Sequence, residues 1–316
     1  MAALTILILN KLSARHREVL ERTAPDCRIL SCEWEDAAKY LPEADILVAW
    51  GWMDIQPMLK NGHQLKWIHA LSAGVENLLA PVQEDNSILL TNSKGIHGIP
   101  VSEHVLSLML AFTRGLNIFI RNQEQHLWQR SPVDELHDKT IAIVGLGSIG
   151  RELAKKAKCF SMHVIATKQT QTRELFVDRL YPPEQLDEML AEADFVVASL
   201  PLLPETNRLF SLSRFQKMKS SAYFINISRG SIVNENDLIT ALQDGVIKGA
   251  ALDVFEEEPL VETSPLWEMS NVIITPHLAA LSPNYMERAV KLLGENLERY
   301  LDGKELVNLI DSKKGY

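Results

Sequence analysis

Short apolar runs recur along the chain, separated by charged or amphipathic stretches. Thr5 to Leu9, Cys27 to Cys32, Ile46 to Ala49, Trp67 to His69 and a run ending near Thr91 read as strands. Ala14 to Thr23 and Glu35 to Tyr40 read as helices between them. Brief runs that are apolar without alternation are the pattern of strands buried on both faces. Strands alternating with helices predict βαβ units and a parallel sheet. This first region is a small α/β domain of its own.

After Pro100 the pattern changes. Val101 to Phe112 carries apolar residues at helical spacing, a long helix that opens a second domain; Glu103 and His104 near its start read as a structural pair. Arg114 to Asp138 is polar and carries Trp128, an exposed arm whose tryptophan a partner subunit would cover. A second strand series follows: Lys139 to Val144, Met162 to Ala166, Phe195 to Leu200, Ala222 to Ile227, Gly249 to Leu252 and Val272 to Thr275. Tyr285 to Leu301 reads as a closing helix that crosses back to the first domain.

The first strand of that second series runs into Gly145-Leu146-Gly147-Ser148-Ile149-Gly150, a match to G-x-G-x-x-G, and then into the helix formers Arg151 to Ala157. Strand, glycine turn and helix stand in the order a dinucleotide site needs. Gly145 permits the turn, Gly147 lets backbone approach a pyrophosphate, and Gly150 lets the helix pack on the strand. The helix N-terminus offers N–H groups to phosphate. An NAD-type site expects an acid at the end of the next strand to bind the ribose 2′-hydroxyl. Here Ala166 to Arg173 holds no acid; Lys168 and Arg173 are cations, and Thr167, Thr170 and Thr172 carry hydroxyls.

Composition narrows the class. At 316 residues two domains are expected, and 46% hydrophobic with 23% charged residues is an ordinary globular balance. The formal net charge of −9 argues against nucleic-acid binding, which needs a basic face. Cys27, Cys32 and Cys159 are odd in number and lack metal-ligand spacing, which predicts reduced thiols, a cytoplasmic protein and no metal site. The apolar run Ala2 to Leu9 is too short to span a bilayer, and no other uncharged run is long enough to span either, so no membrane is expected.

Ligands of open α/β sheets bind at the carboxyl ends of the strands. The residues closing the second strand series are Leu200 and Pro201, Ile227 to Gly230 with Arg229 among them, Asp253, and Pro276 with His277. In the first region, Ser72-Ala73-Gly74 follows a strand; it reads equally as a turn whose N–H groups hold a carboxylate or as a plain helix cap. Trp50, Trp52 and Met53 follow another strand, and pocket wall and core packing are both open for them.

Taken together, Ser72 to Val75, the glycine loop, Asn226 to Gly230, Asp253-Val254-Phe255 with Glu258-Pro259, and Thr275-Pro276-His277 resemble the D-isomer-specific 2-hydroxyacid dehydrogenases over nearly the whole chain. The ending is similar to the glyoxylate/hydroxypyruvate reductase branch. The resemblance implies two doubly wound parallel-sheet α/β domains with a cleft between: a flavodoxin-like substrate domain (1–98 plus 285–316) and a Rossmann cofactor domain (99–284). It implies Arg229, Glu258 and His277 as catalytic residues, Asp253 facing the nicotinamide carboxamide, and a homodimer through the cofactor domain. Trp50, Ser72, Ala73 and Gly74, with Arg229 and His277, fall on the substrate side.

The residue types suit that chemistry. An arginine fork can hold the carboxylate of a 2-oxo acid and polarise its carbonyl. Hydride addition creates an alkoxide that needs a proton from a group titrating near neutrality, which is histidine. A neighbouring carboxylate favours the imidazolium and fixes the ring. Lys168 stands where NAD-dependent members of the family carry an acid, so the cofactor expected is NADP, with NAD possible. A dinucleotide-sensing interaction protein on the same scaffold is the alternative.

Overall fold

The computed structural model describes residues 4–59 and 64–311; the start of the Ala2–Leu9 run and the tail from residue 312 lie outside them. The chain divides into two compact units, residues up to Ile96 with those from Ser282 onward, and His97–Leu281. Among the described residues no helix is long and apolar enough to cross a membrane. The architecture is α/β, with two parallel sheets of five and seven strands.

In the first unit the strands are β1 (Thr5–Ile8), β2 (Arg28–Ser31), β3 (Ile46–Ala49), β4 (Trp67–Ala70) and β5 (Leu89–Asn92), in the order β2-β1-β3-β4-β5. Side chains alternate across a strand, yet both faces here are apolar. Ile6, Ile8, Ile46 and Val48 pack with Leu20, Leu293 and Leu297 of the helices Ala14–Thr23 and Tyr285–Leu301. Leu7, Leu47 and Ile68 pack with Leu41, Leu78 and Val82 on the other side. Two covered faces explain the unbroken apolar runs. Each such side chain contributes roughly 1.5–3 kcal/mol of burial.

Buried His69 is part of this core. Thr91 Oγ1 accepts from Trp67 Nε1 at 2.8 Å and lies 2.8 Å from His69 Nδ1; Ser93 Oγ lies 3.3 Å from His69 Nε2 and donates to Ala70 O at 2.9 Å. One proton arrangement satisfies all four links: Thr91 donates to Nδ1, and Nε2–H donates to Ser93. That arrangement needs a neutral ring, and burial holds its pKa down at about 3.

The second unit holds β6 (Thr140–Val144), β7 (His163–Thr167), β8 (Arg179–Tyr181), β9 (Phe195–Ala198), β10 (Tyr223–Asn226), β11 (Gly249–Leu252) and β12 (Val272–Ile274). Their order is β12-β11-β10-β9-β6-β7-β8, all parallel. The strand order reverses between β6 and β9, the point where doubly wound folds place ligands. The helices Gly98–Thr113 and Ser148–Cys159 cover one face, burying Val105, Met109, Leu153 and Ala157 against Ile141, Ile143 and Val197. Phe210, Phe215, Phe224 and Leu238 fill the other. The polar arm opens with a helix, Leu116–Glu124, and Trp128 beyond it is 100% exposed.

Candidate active site

Backbone contacts fix the glycine loop. Gly145 has φ +100°, and a Cβ there would lie 2.4 Å from Ser199 O. A Cβ at Gly150 would lie 2.9 Å from Gly145 O, so the helix sits against the turn only because it is absent. Gly147 differs: its φ is an ordinary −85°, and a Cβ would meet nothing within 4 Å. Neither conformation nor packing within the chain requires glycine at Gly147. Close approach of an outside group would, and the open space at Gly147 fits a pyrophosphate.

The remaining cofactor candidates support this loop. Thr167 is buried; its hydroxyl accepts from Gly145 N at 2.9 Å and its carbonyl from Leu146 N at 3.0 Å, so it braces the loop from β7. Leu146 and Ile149 pack into the core while Ser148 begins the helix. Leu200 N donates to Ser228 Oγ at 3.0 Å, tying the end of β9 to the end of β10, and Pro201 O accepts from Thr206. Ile227 N reaches Ala198 O at 3.4 Å.

Lys168 is not a solvated loop lysine. Its ammonium donates to Glu174 Oε1 at 2.7 Å and to Thr172 Oγ1 at 2.9 Å. Arg151, in the first turn of the Ser148–Cys159 helix, takes the same carboxylate in a fork, Nε to Oε2 at 2.9 Å and Nη2 to Oε1 at 2.8 Å. Arg151 first, then Lys168, hold the Glu174 carboxyl down at about 2. Arg173 is exposed. The acid missing from Ala166–Arg173 thus arrives one residue later, because the loop folds back over the helix start. Counting positions from the glycines does not reveal that fold.

The ends of β10, β11 and β12, three neighbouring strands, carry Arg229, Asp253 and His277. Buried Asn226 shapes the first turn, accepting from Ser228 N at 3.1 Å and donating to Arg229 O at 3.0 Å. Arg229 Nη1 donates to Ser228 O at 2.8 Å. A Cβ on Gly230 would lie 1.8 Å from Phe255 C and O, so this glycine presses the arginine turn onto the loop that carries Glu258. Glu258 bridges: Oε1 accepts from Phe255 N at 3.0 Å and Oε2 meets His277 Nδ1 at 2.7 Å. With Nδ1 taken, Nε2 is the ring nitrogen that Glu258 does not engage. His277 is half-exposed and sits at φ +49°, a left-handed conformation uncommon outside glycine.

Asp253 holds that conformation. It is 2% exposed, and its oxygens accept from Thr275 Oγ1 at 2.6 Å and from Leu278 N and Ala279 N at 3.0 Å each. Its main-chain oxygen accepts from His277 N at 2.9 Å. Both sides of the histidine are therefore anchored to one residue. Thr275 gives its proton to Asp253, so it accepts from His104 Nε2, 3.1 Å away. Burial lowers the His104 pKa against the opposing pull of Asp253. Sequence reasoning passed over His97, buried just before the long helix; burial and then the Arg229 charge hold it down at about 4.

In the first unit, Ser72 Oγ accepts from Gly51 N at 2.8 Å and donates to Gly74 O at 2.7 Å. It closes a turn and caps no helix: the next helical turn begins after Val75 without a side-chain cap. Ala73 O accepts from Asn92 Nδ2 at 2.6 Å. The half-buried Trp50 ring lies 5.6 Å from Tyr285, with Nε1 3.4 Å from Asn10 Oδ1. Trp52 is exposed and Met53 is core.

A glycine loop at the switch point of a Rossmann sheet, with a paired histidine and an arginine at the ends of the two strands on either side of β11, defines a dinucleotide-linked α/β oxidoreductase. Residues 106–279, more than half of the chain, match the D-isomer specific 2-hydroxyacid dehydrogenase NAD binding domain. A glyoxylate/hydroxypyruvate reductase B of Salmonella schwarzengrund is 37% identical over 263 residues, 80% of either chain. The crystal structure of a D-isomer specific 2-hydroxyacid dehydrogenase family protein from Aeromonas salmonicida aligns with TM-score 0.88 and 37% identity over 98% of this chain and 99% of that one. An NADPH-dependent glyoxylate/hydroxypyruvate reductase from Sinorhizobium meliloti, solved with NADP and sulfate, aligns with TM-score 0.85 and 28% identity over 99% and 100%. Against the D-3-phosphoglycerate dehydrogenases of Synechocystis and Methanocaldococcus jannaschii, the aligned part is only 41% and 53% of the relative's length. The chain belongs to the D-isomer specific 2-hydroxyacid dehydrogenase family, a family of oxidoreductases.

Proposed function

We propose that the protein is an NADP(H)-preferring reductase of small 2-oxo acids, glyoxylate, hydroxypyruvate or a close relative, which it interconverts with the D-2-hydroxy acid. The observation that carries this reading is the 2.7 Å pairing of His277 Nδ1 with Glu258, in the loops after β12 and β11, beside the strand β10 that leads into Arg229. The reduced nicotinamide supplies the hydride when bound. Arg229 holds the substrate carboxylate with its planar guanidinium fork. His277 delivers the proton to the new alkoxide from Nε2 and takes it back in the oxidation direction. Glu258 fixes the ring, and Asp253 fixes the loop on which the ring stands. The substrate class is supported by the Salmonella and Sinorhizobium reductases, and the cofactor by the NADP in the Sinorhizobium structure.

Lys168 is the determinant of the 2′-phosphate. One or two charge-assisted bonds at roughly 1.5–3 kcal/mol each favour NADP by about tenfold to several thousandfold. Comparing kcat/KM for NADPH and NADH in wild type and Lys168→Asp tests this. The expected result is an NADPH preference that falls in the variant. A wild-type preference for NADH would refute the first half, and an unchanged ratio in the variant the second.

Two further parts of the reading concern setting and assembly. The three cysteines are free thiols, which suits a reducing cytoplasm. Leu127 and Trp128, with Leu116, Ile118 and Ile120 of the preceding helix, are exposed apolar residues, and a second copy of the chain covers them in a homodimer.

A further inference from the structure

The ion cluster beside the glycine loop carries a proposal about selectivity that no sequence position announced. Arg151 comes from the helix start, and Lys168 from the end of β7; both converge on one carboxylate, that of Glu174. The Glu174 side chain is 12% exposed and Lys168 21%. Thr167, next to Lys168, is bonded to Gly145 and Leu146, so the cluster stands at the mouth of the loop that receives the dinucleotide phosphates. A guanidinium fork and an ammonium on one anion are donors suited to a phosphate monoester, and Thr172 Oγ1 accepts from that ammonium at 2.9 Å. Here the anion is internal. It has two oxygens where a phosphate has three, and one negative charge where a phosphate approaches two.

We propose that Glu174 is a built-in stand-in for the cofactor's 2′-phosphate, occupying the cradle of Arg151 and Lys168 and yielding it when NADP binds. The inference rests on the reading that the glycine loop binds a dinucleotide. It names two residues that reading lacked, Arg151 as a second phosphate-binding cation and Glu174 as the group that opposes it. A competitor tethered in the site lowers apparent affinity by the fraction of time it holds the site. Glu174 therefore weakens NADP binding below what the two cations alone give. Its carboxylate can also accept from the 2′-hydroxyl of NAD, the task of the acid at this point of the fold. Because Arg151 and Lys168 keep it ionised down to about pH 2, the opposition is present throughout the working range.

The test is direct binding to the full-length protein without turnover. Adenosine 2′,5′-bisphosphate and AMP are titrated calorimetrically into wild type, Glu174→Gln, and Arg151→Met in both backgrounds. Glu174→Gln keeps the shape and removes the charge. The ratio of bisphosphate to AMP affinity is expected to rise about tenfold or more in Glu174→Gln, the size of one charge-assisted bond. Arg151→Met is expected to lower that ratio in both backgrounds. Glu174→Ala, read by the same ratio, serves if the glutamine variant does not fold. An unchanged or lower ratio in the Glu174 variants overturns the proposal, even if wild type favours the bisphosphate. A wild-type preference for AMP that Glu174→Gln reverses supports the proposal while refuting the NADP preference. Failure of every protein to bind either ligand overturns both.

Discussion

Asp253→Asn separates a residue that positions His277 from one that merely fills the core. The carboxylate is 2% exposed and spends one oxygen on Thr275 Oγ1 and Leu278 N, the other on Ala279 N. Asparagine retains one oxygen. Placed to serve Thr275 and Leu278, it turns an NH2 group toward the Ala279 N–H. One bond to a charged acceptor is lost, about 1.5–3 kcal/mol, and a buried donor is left unpaired, about 1–3 kcal/mol. Allowing for overlap of the two effects, the second unit should lose roughly 2–5 kcal/mol, or a melting temperature lower by roughly 4–20 °C at this size. The activity effect is argued separately. Freed at residue 279, the turn after His277 holds its φ of +49° less firmly. A displacement near 1 Å at a reacting group costs about 100-fold. Steady-state kinetics at a temperature well below the variant's transition should show kcat lower by about that factor, with the dissociation constant for NADPH near wild type. Wild-type kcat in Asp253→Asn would refute the positioning argument. So would a variant whose only defect is weaker cofactor binding, which would place Asp253 on the nicotinamide instead.

Other outcomes follow from the same geometry. Arg229→Lys should raise KM for the oxo acid and lower kcat by about tenfold or more, since a point charge cannot replace a fork; kinetics like wild type would move the carboxylate site elsewhere. His69 stays neutral when folded, with its pKa lowered from 6.5 to about 3. Between those values the unfolded chain binds a proton the folded one does not, so its contribution is complete above pH 6.5 and shrinks as pH falls, by up to about 1.4 kcal/mol per pH unit. His69→Gln should flatten the acid side of a stability–pH curve of the first unit, and an unaltered slope would show that the ring protonates in place. Sedimentation should show a dimer at micromolar concentration that Trp128→Glu shifts toward monomer; a wild-type monomer would contradict the covered arm.

What was legible in the sequence was what the backbone itself demands. Gly145 and Gly230 are where they are because any side chain would collide with Ser199 O or Phe255 O, and such demands leave a motif. The central strands were legible because both faces are covered, which makes the apolar runs unbroken. The edge strand β8 was not: Arg179–Tyr181 is three residues long and carries a charge. The helix Leu116–Glu124 was hidden in what read as a polar arm. At the site, the residue types of Arg229, Glu258 and His277 could be named in advance, but the way Asp253 and Gly230 hold them could not, since it depends on loops meeting across strand ends. Glu174 shows the same limit. Its chemistry is plain in the sequence, but its partners are set by how the loop after β7 folds.

The most direct test of the central claim is the rate at which glyoxylate or hydroxypyruvate oxidises NADPH in wild type and in His277→Ala, followed by nicotinamide absorbance, with cofactor dissociation constants measured alongside. The account predicts turnover by wild type, a kcat about 10²- to 10⁴-fold lower in the variant, and nearly equal NADPH binding by the two. Turnover in His277→Ala at the wild-type rate, or no oxidation of NADPH by any small 2-oxo acid in wild type, would contradict it.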